Sequence, residues 1–442
     1  MNILHIAPHL GGGAGAVISA WIRNDTIHSS KIIALDVNKN KNLFLPEKIS
    51  VQDGFCYRNN FKEELADVIE SADVVIIHFW NHPLLYDVLL NFDWPVCRMI
   101  MWCHVSGLYP PYCIPEEAIK MADMFVFTSP VSFESPDIIG LDVKLKDRLN
   151  VIWSTSLDVD VIKPMYRDFS KKKNFTIGYV GTADYAKLSP CFLDIVKSID
   201  IPNARFEFYS NDSQKKLIAH AESSGIAQKI LFKGQAKTSD LAEIYSSFDI
   251  MLYPLNSRHF GTCEQVLGEA MSYGVVPVVL DNKPETCIVK NLKNGIVAHS
   301  YSELSDGISL LYENRGLLCQ LSKNAVDYAR NQYSVKNMVH EWNTLLQNEL
   351  HNKKQKRCWK KICGSPEWLY AYSHGKNGEC FFDYLTSDNA DARDASVSRI
   401  KKLFKSSYSM YISNSKGSVQ QYLSFWPKND TLKAWKQLLE NI

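Results

Sequence analysis

The chain has 442 residues, 46% hydrophobic and 22% charged, with a formal net charge of +1 at neutral pH. That length exceeds one ordinary domain, so two or three are expected. The composition excludes disordered and collagen-like classes. Eleven cysteines without a CxxC pair suggest neither a zinc site nor a disulfide framework. Charge is uneven: Lys and Arg number 12 against 20 acidic residues over 1–160, and 16 against 8 over 351–442. The start, MNILHIAPHL, lacks the form of a signal peptide, and no run reaches membrane-spanning length, so the cytoplasm is the expected compartment.

In chain order, an apolar strand over 2–7 leads through Pro8-His9-Leu10 into Gly11-Gly12-Gly13-Ala14-Gly15, and a helix follows over 16–23. The glycines miss the G-x-G-x-x-G dinucleotide spacing and read as a flexible loop beside a cleft. Further strands are predicted over 31–37, 73–79, 96–105, 124–129 and 151–154, with helices over 60–71, 83–90 and 115–121. Such alternation implies a doubly wound parallel sheet whose ligands bind at the carboxyl ends of the strands. His78 and His104 both stand at strand ends. His78 reads as a satisfied buried histidine, whereas His104 turns directly into a loop and is a candidate functional group.

Residues 155–172 break the pattern, with Asp158, Asp160, Pro164 and the start of Ser170-Lys171-Lys172-Lys173, and read as a hinge. Alternation restarts with strands over 175–181, 205–210, 229–234, 250–253 and 275–280. Helices are predicted over 188–198, 213–223, 238–247, 263–273, 302–312, 316–331 and 335–350. Beyond 350 the chain becomes basic and aromatic. HNKKQKRCWKK (351–361) carries six cations and one tryptophan, and helical patterns follow over 392–404 and 431–439. The expected domains are therefore 1–160, 173–350 and a small, mainly helical appendage over 351–442.

The stretch 256–285, NSRHFGTCEQVLGEAMSYGVVPVVLDNKPE, holds most of the candidate chemistry. His259-Phe260-Gly261 read as loop, and Thr262 with Gln265 forms a capping-box pattern that starts a helix near Cys263. Gly274 stops that helix. A strand, a glycine-bearing loop and a fresh helix N-terminus favour an anion.

Gly268-Glu269-Ala270-Met271 followed by Gly274-Val275-Val276-Pro277-Val278-Val279 resembles the "LEAMA-x-G-x-PV" segment of glycosyltransferase family four. The resemblance spans about 1–350 and implies a GT-B fold: two tandem Rossmann-like domains facing a cleft. It makes Glu269 the ligand of the donor ribose, since one carboxylate can accept from two vicinal hydroxyls. The family's first motif glutamate falls on Gly261 here, and Glu264 is the nearest carboxylate, either its substitute or a helix-start residue favoured by the dipole. The family's "GR-x-x-x-x-KG" segment matches at Gly181 and Lys187, but Thr182 replaces its arginine. Arg258 or His259 is then the candidate for neutralising the donor diphosphate, beside Gly261, Thr262 and Cys263. Gly11, Gly12, Gly13 and His104 resemble acceptor-side positions.

What the resemblance implies is a retaining, metal-independent transfer of a sugar from a nucleoside-diphosphate sugar to an acceptor hydroxyl. The acceptor would be a saccharide or a lipid-linked one, and the setting bacterial surface polysaccharide or lipopolysaccharide assembly. His104 would orient the acceptor, no cofactor is needed and no nucleic acid is expected. Residues 351–361 are candidates to dock on an anionic membrane surface, placing the protein peripherally on the inner face; partner binding or oligomer formation, and bracing of the second domain, are the alternatives. A nucleotide-sugar epimerase would require carboxylates in the cleft, and a non-catalytic binder would bind donor without turnover.

Overall fold

The computed structural model describes residues 1–442 except 38–44, 47–48, 160, 170–173, 212–213 and 415. Asp160 and 170–173 of the expected hinge, and the expected helix start at Ser213, lie outside the described residues. The chain divides into two compact units, Met1–Ser156 with Lys336–Ile442, and Leu157–Val335.

The first unit is built on seven strands: β1 (Asn2–Ala7), β2 (Ser29–Ala34), β3 (Ser50–Gln52), β4 (Val74–Phe79), β5 (Met99–Cys103), β6 (Met124–Phe127) and β7 (Leu149–Val151). All pair in parallel, in the order β3-β2-β1-β4-β5-β6-β7. Every residue of β4 and β5 is buried, as expected of central strands covered by helices on both faces. The order reverses between β1 and β4, which places the topological switch point at their carboxyl ends.

The glycine run behaves differently from the expected loop. Gly11 is the N-cap residue and the helix spans Gly12–Asn24; Gly12 enters it at φ +65°, and Gly13 and Gly15 lie within it. The physical reason is close packing: a Cβ on Gly15 would stand 2.0 Å from the Leu10 carbonyl oxygen. Gly15→Ala should therefore cost about 2 kcal/mol through overpacking. Urea denaturation of the variant checks this.

The second unit carries six parallel strands: β8 (Phe175–Val180), β9 (Ala204–Tyr209), β10 (Ile230–Gly234), β11 (Ile250–Tyr253), β12 (Val276–Leu280) and β13 (Ile296–Ala298). Their order is β10-β9-β8-β11-β12-β13, so this switch point lies between β8 and β11.

The helix Val335–Glu349 and everything after it differ from the expected boundaries, because they group with the first unit. Trp342 is fully buried, stacked on Trp21 at 4.3 Å and edge-on to Trp102 at 4.9 Å. The basic run is then a strap on the first unit. Gln355 forms an antiparallel bridge with Cys97, and Lys354 donates to the Ala72 carbonyl at 2.8 Å. Buried Arg357 pairs with Asp123 and donates to the carbonyls of Cys97 and Met121. Lys356 pairs with Asp93, and Lys361 bonds Asn91. Four of the six cations expected to face a membrane thus bond protein groups; Lys353 and Lys360 are exposed. No helix among the described residues is long and apolar enough to cross a membrane.

The remaining helices, among them Pro366–Ser373, Glu379–Thr386, Ala390–Ser406 and Asp430–Glu440, close around Tyr370, Phe381 and Trp435, whose rings lie 4.8–5.4 Å apart. This part is seated on the first sheet's layer rather than hung from it. Buried Asn81 donates to the Ser373 carbonyl at 3.0 Å, just after β4.

Candidate functional site

Two loops meet at the switch point of the second sheet. The first, between β8 and the helix Phe192–Ser198, carries Gly181, Thr182 and Lys187; the second, after β11, carries residues 254–264. They are zipped together by a Leu188–Leu255 bridge and by the Asn256 amide donating to the Lys187 carbonyl at 2.7 Å. Asn256 also donates its side chain to the Tyr185 carbonyl at 2.9 Å and accepts from the Arg258 amide at 3.0 Å. The Thr182 carbonyl accepts from Tyr179 at 2.7 Å.

Glu264 is the centre of this arrangement. Its side chain is 3% exposed; Oε2 is 3.0 Å from Lys187 Nζ and accepts from the Tyr253 hydroxyl at 2.7 Å, while Oε1 is 3.7 Å from His259 Nδ1. Burial alone would raise its pKa, but Lys187 first, then His259 and Tyr253, outweigh burial and hold it below the ordinary carboxylate range. Glu264 has φ +22°, a conformation that side-chain-bearing residues avoid at a cost of about 1–3 kcal/mol. The Lys187 ion pair and the Tyr253 hydrogen bond of its carboxylate offset that strain.

The helix starts two residues beyond the expected Cys263. The helix begins at Gln265 and ends at Ser272, with Glu264 as its N-cap residue and no side-chain cap bond. Turning the chain at Glu264 sends the carboxylate back over the loop, where Gly261 leaves room. A Cβ on Gly261 would stand 1.8 Å from Glu264 Oε1 and 2.7 Å from His259 Nδ1.

His259 is buried and fixed at both ring nitrogens. Nδ1 accepts from the Gly261 amide at 2.9 Å, so Nε2 carries the proton and donates to Glu285 Oε2 at 3.0 Å. Burial opposes charge on this ring, yet Glu285 and Glu264 outweigh it and raise its pKa. Asn282 donates to Glu285 Oε1 at 3.2 Å, completing a chain that runs Asn282, Glu285, His259 and Gly261. Buried Thr262 and Cys263 continue the loop, and the Cys263 carbonyl accepts from Tyr333 at 3.0 Å.

Glu269 lies in the helix Gln265–Ser272, half-buried, and accepts from Tyr245 at 2.8 Å. Burial pushes its pKa up to about 7, with the Tyr245 bond pulling the other way. Sequence reasoning missed Tyr253, Glu285, Asn282 and Tyr245. Only Glu285 had a local signal, the Asn-Lys-Pro-Glu helix start after β12.

In the first unit, His104 stands just beyond β5, half-buried, and His78 Nδ1 meets its Nε2 at 3.1 Å. Burial, reinforced by the charge of Lys416, lowers the His104 pKa to about 3. The Gly11 amide donates to His9 Nδ1 at 3.1 Å, and His9 packs edge-on to Trp80 at 5.1 Å. The two residues expected to be catalytic, His104 and Glu264, thus belong to different units.

Comparison with solved structures identifies this architecture. Anabaena HepE in complex with UDP superposes with a TM-score of 0.61 at 16% identity, over 79% of this chain and 100% of that one. The chain has the GT-B fold. Sucrose-phosphate synthase from Thermosynechococcus elongatus gives a TM-score of 0.61 at 12% identity, covering 79% of this chain and 99% of its own. The lipopolysaccharide outer core galactosyltransferase WaaB gives 0.57 at 15% identity, over 79% and 100%. Residues 165–332, nearly all of the second unit, match the family described as Glycosyl transferases group 1. No curated protein matches the sequence of the chain.

Proposed function

We propose that the protein is a retaining glycosyltransferase of family four, which moves a sugar from a nucleoside-diphosphate sugar to an acceptor hydroxyl. The observation that carries this reading is the convergence of Lys187, Glu264 and His259 at the second unit's switch point, with Glu269 on the helix that follows. A parallel sheet binds ligands at that place. The segment match over 165–332 supports the donor class, as does the HepE structure, which holds UDP.

In this reading Glu269 accepts from the ribose hydroxyls, and the start of the helix Gln265–Ser272 faces the diphosphate. Lys187 and Arg258 take up its charge as the sugar–phosphate bond breaks, a role a metal ion could otherwise fill. Glu264 stands in for the family's first motif glutamate: its carboxylate occupies the space that a side chain at 261 would need. The leaving diphosphate takes the acceptor's proton on the face it departs from. A saccharide or lipid-linked acceptor, surface polysaccharide assembly and peripheral attachment to the inner membrane face complete the proposal. For the attachment, Lys353, Lys356, Lys360 and Lys361 are the exposed cations of the strap, the second and fourth of them already bonded to Asp93 and Asn91.

A thermal-shift screen of nucleoside-diphosphate sugars, followed by product analysis, tests the assignment. Arg258→Ala is expected to raise the donor's dissociation constant about tenfold, the loss of one charge-assisted contact. Unchanged binding in a calorimetric titration removes Arg258 from the site.

A further inference from the structure

Three histidines on adjacent strands of the first sheet form one hydrogen-bonded row. His5 lies on β1, His78 on β4 and His104 just past β5. His5 Nδ1 is 3.1 Å from His78 Nε2, and His78 Nδ1 is 3.1 Å from His104 Nε2. Both ring pairs are stacked at 5.4 Å, tilted by 21° and 25°. His5 and His78 are wholly buried, with Trp21 edge-on to His5 at 5.0 Å. At the inner end, His5 Nε2 has no partner among the described residues. At the outer end, His104 is half-buried.

The proton count is restrictive. Burial, with Asp25 opposing it, holds the His5 pKa at about 3, and burial also lowers those of His78 and His104, so the row is neutral near pH 7. Three neutral imidazoles carry three protons, and each N···N contact uses one. If His104 donated from Nε2, the spare proton would end on His5 Nε2 as a buried, unpaired N–H. If instead every ring donates outward from Nδ1, the inner end keeps only an unpaired lone pair, and the spare N–H is His104 Nδ1–H at the half-buried end. Among backbone groups, orphaned buried N–H is rarer than an under-used acceptor, and by analogy the outward arrangement is favoured.

We propose that His5 and His78 are positioning residues that fix His104 as its Nδ1–H tautomer, making it an obligate hydrogen-bond donor to a hydroxyl or phosphate oxygen bound at the carboxyl edge of the first sheet. The ligand class rests on the glycosyltransferase reading; the tautomer does not. One chemical consequence is that His104 takes no proton from an acceptor. Nδ1 has no lone pair, and the lone pair of Nε2 is occupied by His78.

The test is a two-bond nitrogen–proton correlation spectrum of the full chain labelled with 15N in its histidine rings, at pH 7.5. The His104 signals are assigned by their loss in His104→Gln. Wild type is expected to show Nδ1 protonated and Nε2 unprotonated, and His78→Phe to convert this into a mixture of tautomers. A wild-type Nε2–H form, or a doubly protonated ring, overturns the proposal, and this spectrum stands even if His78→Phe fails to fold. A His78→Phe protein that keeps pure Nδ1–H overturns the role of the row. Absence of sugar transfer in assays would count against the proposed function, whereas the tautomer is decided by the spectrum alone.

Discussion

Lys187→Ala is expected to lower the unfolding free energy by about 3 kcal/mol at pH 7.5, the cost of leaving a buried charge without its partner. Glu264 has the side chain at stake: it is 3% exposed and its Oε2 lies 3.0 Å from Lys187 Nζ. With the cation gone, the largest lowering influence is lost and the carboxyl pKa rises. The pH dependence should therefore flatten. In wild type the depressed pKa contributes stability that is present above the unfolded-state pKa and lost as pH falls through the folded one. In the variant that depression is reduced, so its deficit narrows as pH falls from 7.5 to 4. Lys187→Ala/Glu264→Gln should recover more than half of the loss at pH 7.5. Urea titrations at both pH values read all of this. A single variant as stable as wild type would show that the pair is not a buried ion pair in solution.

Glu269→Gln should weaken nucleotide-sugar binding about 100-fold, because an ionised acceptor of two hydroxyls is lost and charged hydrogen bonds contribute about 1.5–3 kcal/mol each. The pKa of about 7 gives a second signature. In the proposed role ribose hydroxyls donate to the ionised form, so donor affinity in wild type should fall as pH drops from 8 to 6, and Glu269→Gln should lose that slope. A nucleotide sugar is the right probe, since its diphosphate does not titrate in this span. Stability runs the opposite way. A carboxyl whose folded pKa is raised opposes folding increasingly as pH rises toward that pKa, so Glu269→Gln should be at least as stable as wild type above pH 7. Loss of binding with undiminished thermal stability thus separates a ligand role from a folding defect.

Period and length are enough to locate the central strands from sequence: the runs over 2–7, 73–79 and 250–253 coincide with β1, β4 and β11 to within one residue. Three-residue edge strands such as β3 and β13 are too short to show a period, and the sequence does not reveal them. The end of the helix bearing Glu269 is legible from Gly274, which has φ +72°. Its start is not, because a capping pattern is local while Glu264 is turned by Lys187, which lies 77 positions earlier in the chain. The same holds for the tail: a cluster of cations reads as a solvated patch until Arg357 is seen buried against Asp123. Residue type singled out Glu264 and His259 as candidates; only the fold revealed that Tyr253, Glu285 and Asn282 hold them.

Calorimetric titration of the intact chain with UDP, GDP and ADP, repeated with Glu269→Ala, tests the central claim most directly. Saturable binding of one nucleoside diphosphate, weakened about 100-fold or more by Glu269→Ala as in the loss of two charged hydrogen bonds, is the result this account predicts. Failure of all three nucleotides to bind, or equal binding by the variant, would contradict a donor site at the second unit's switch point.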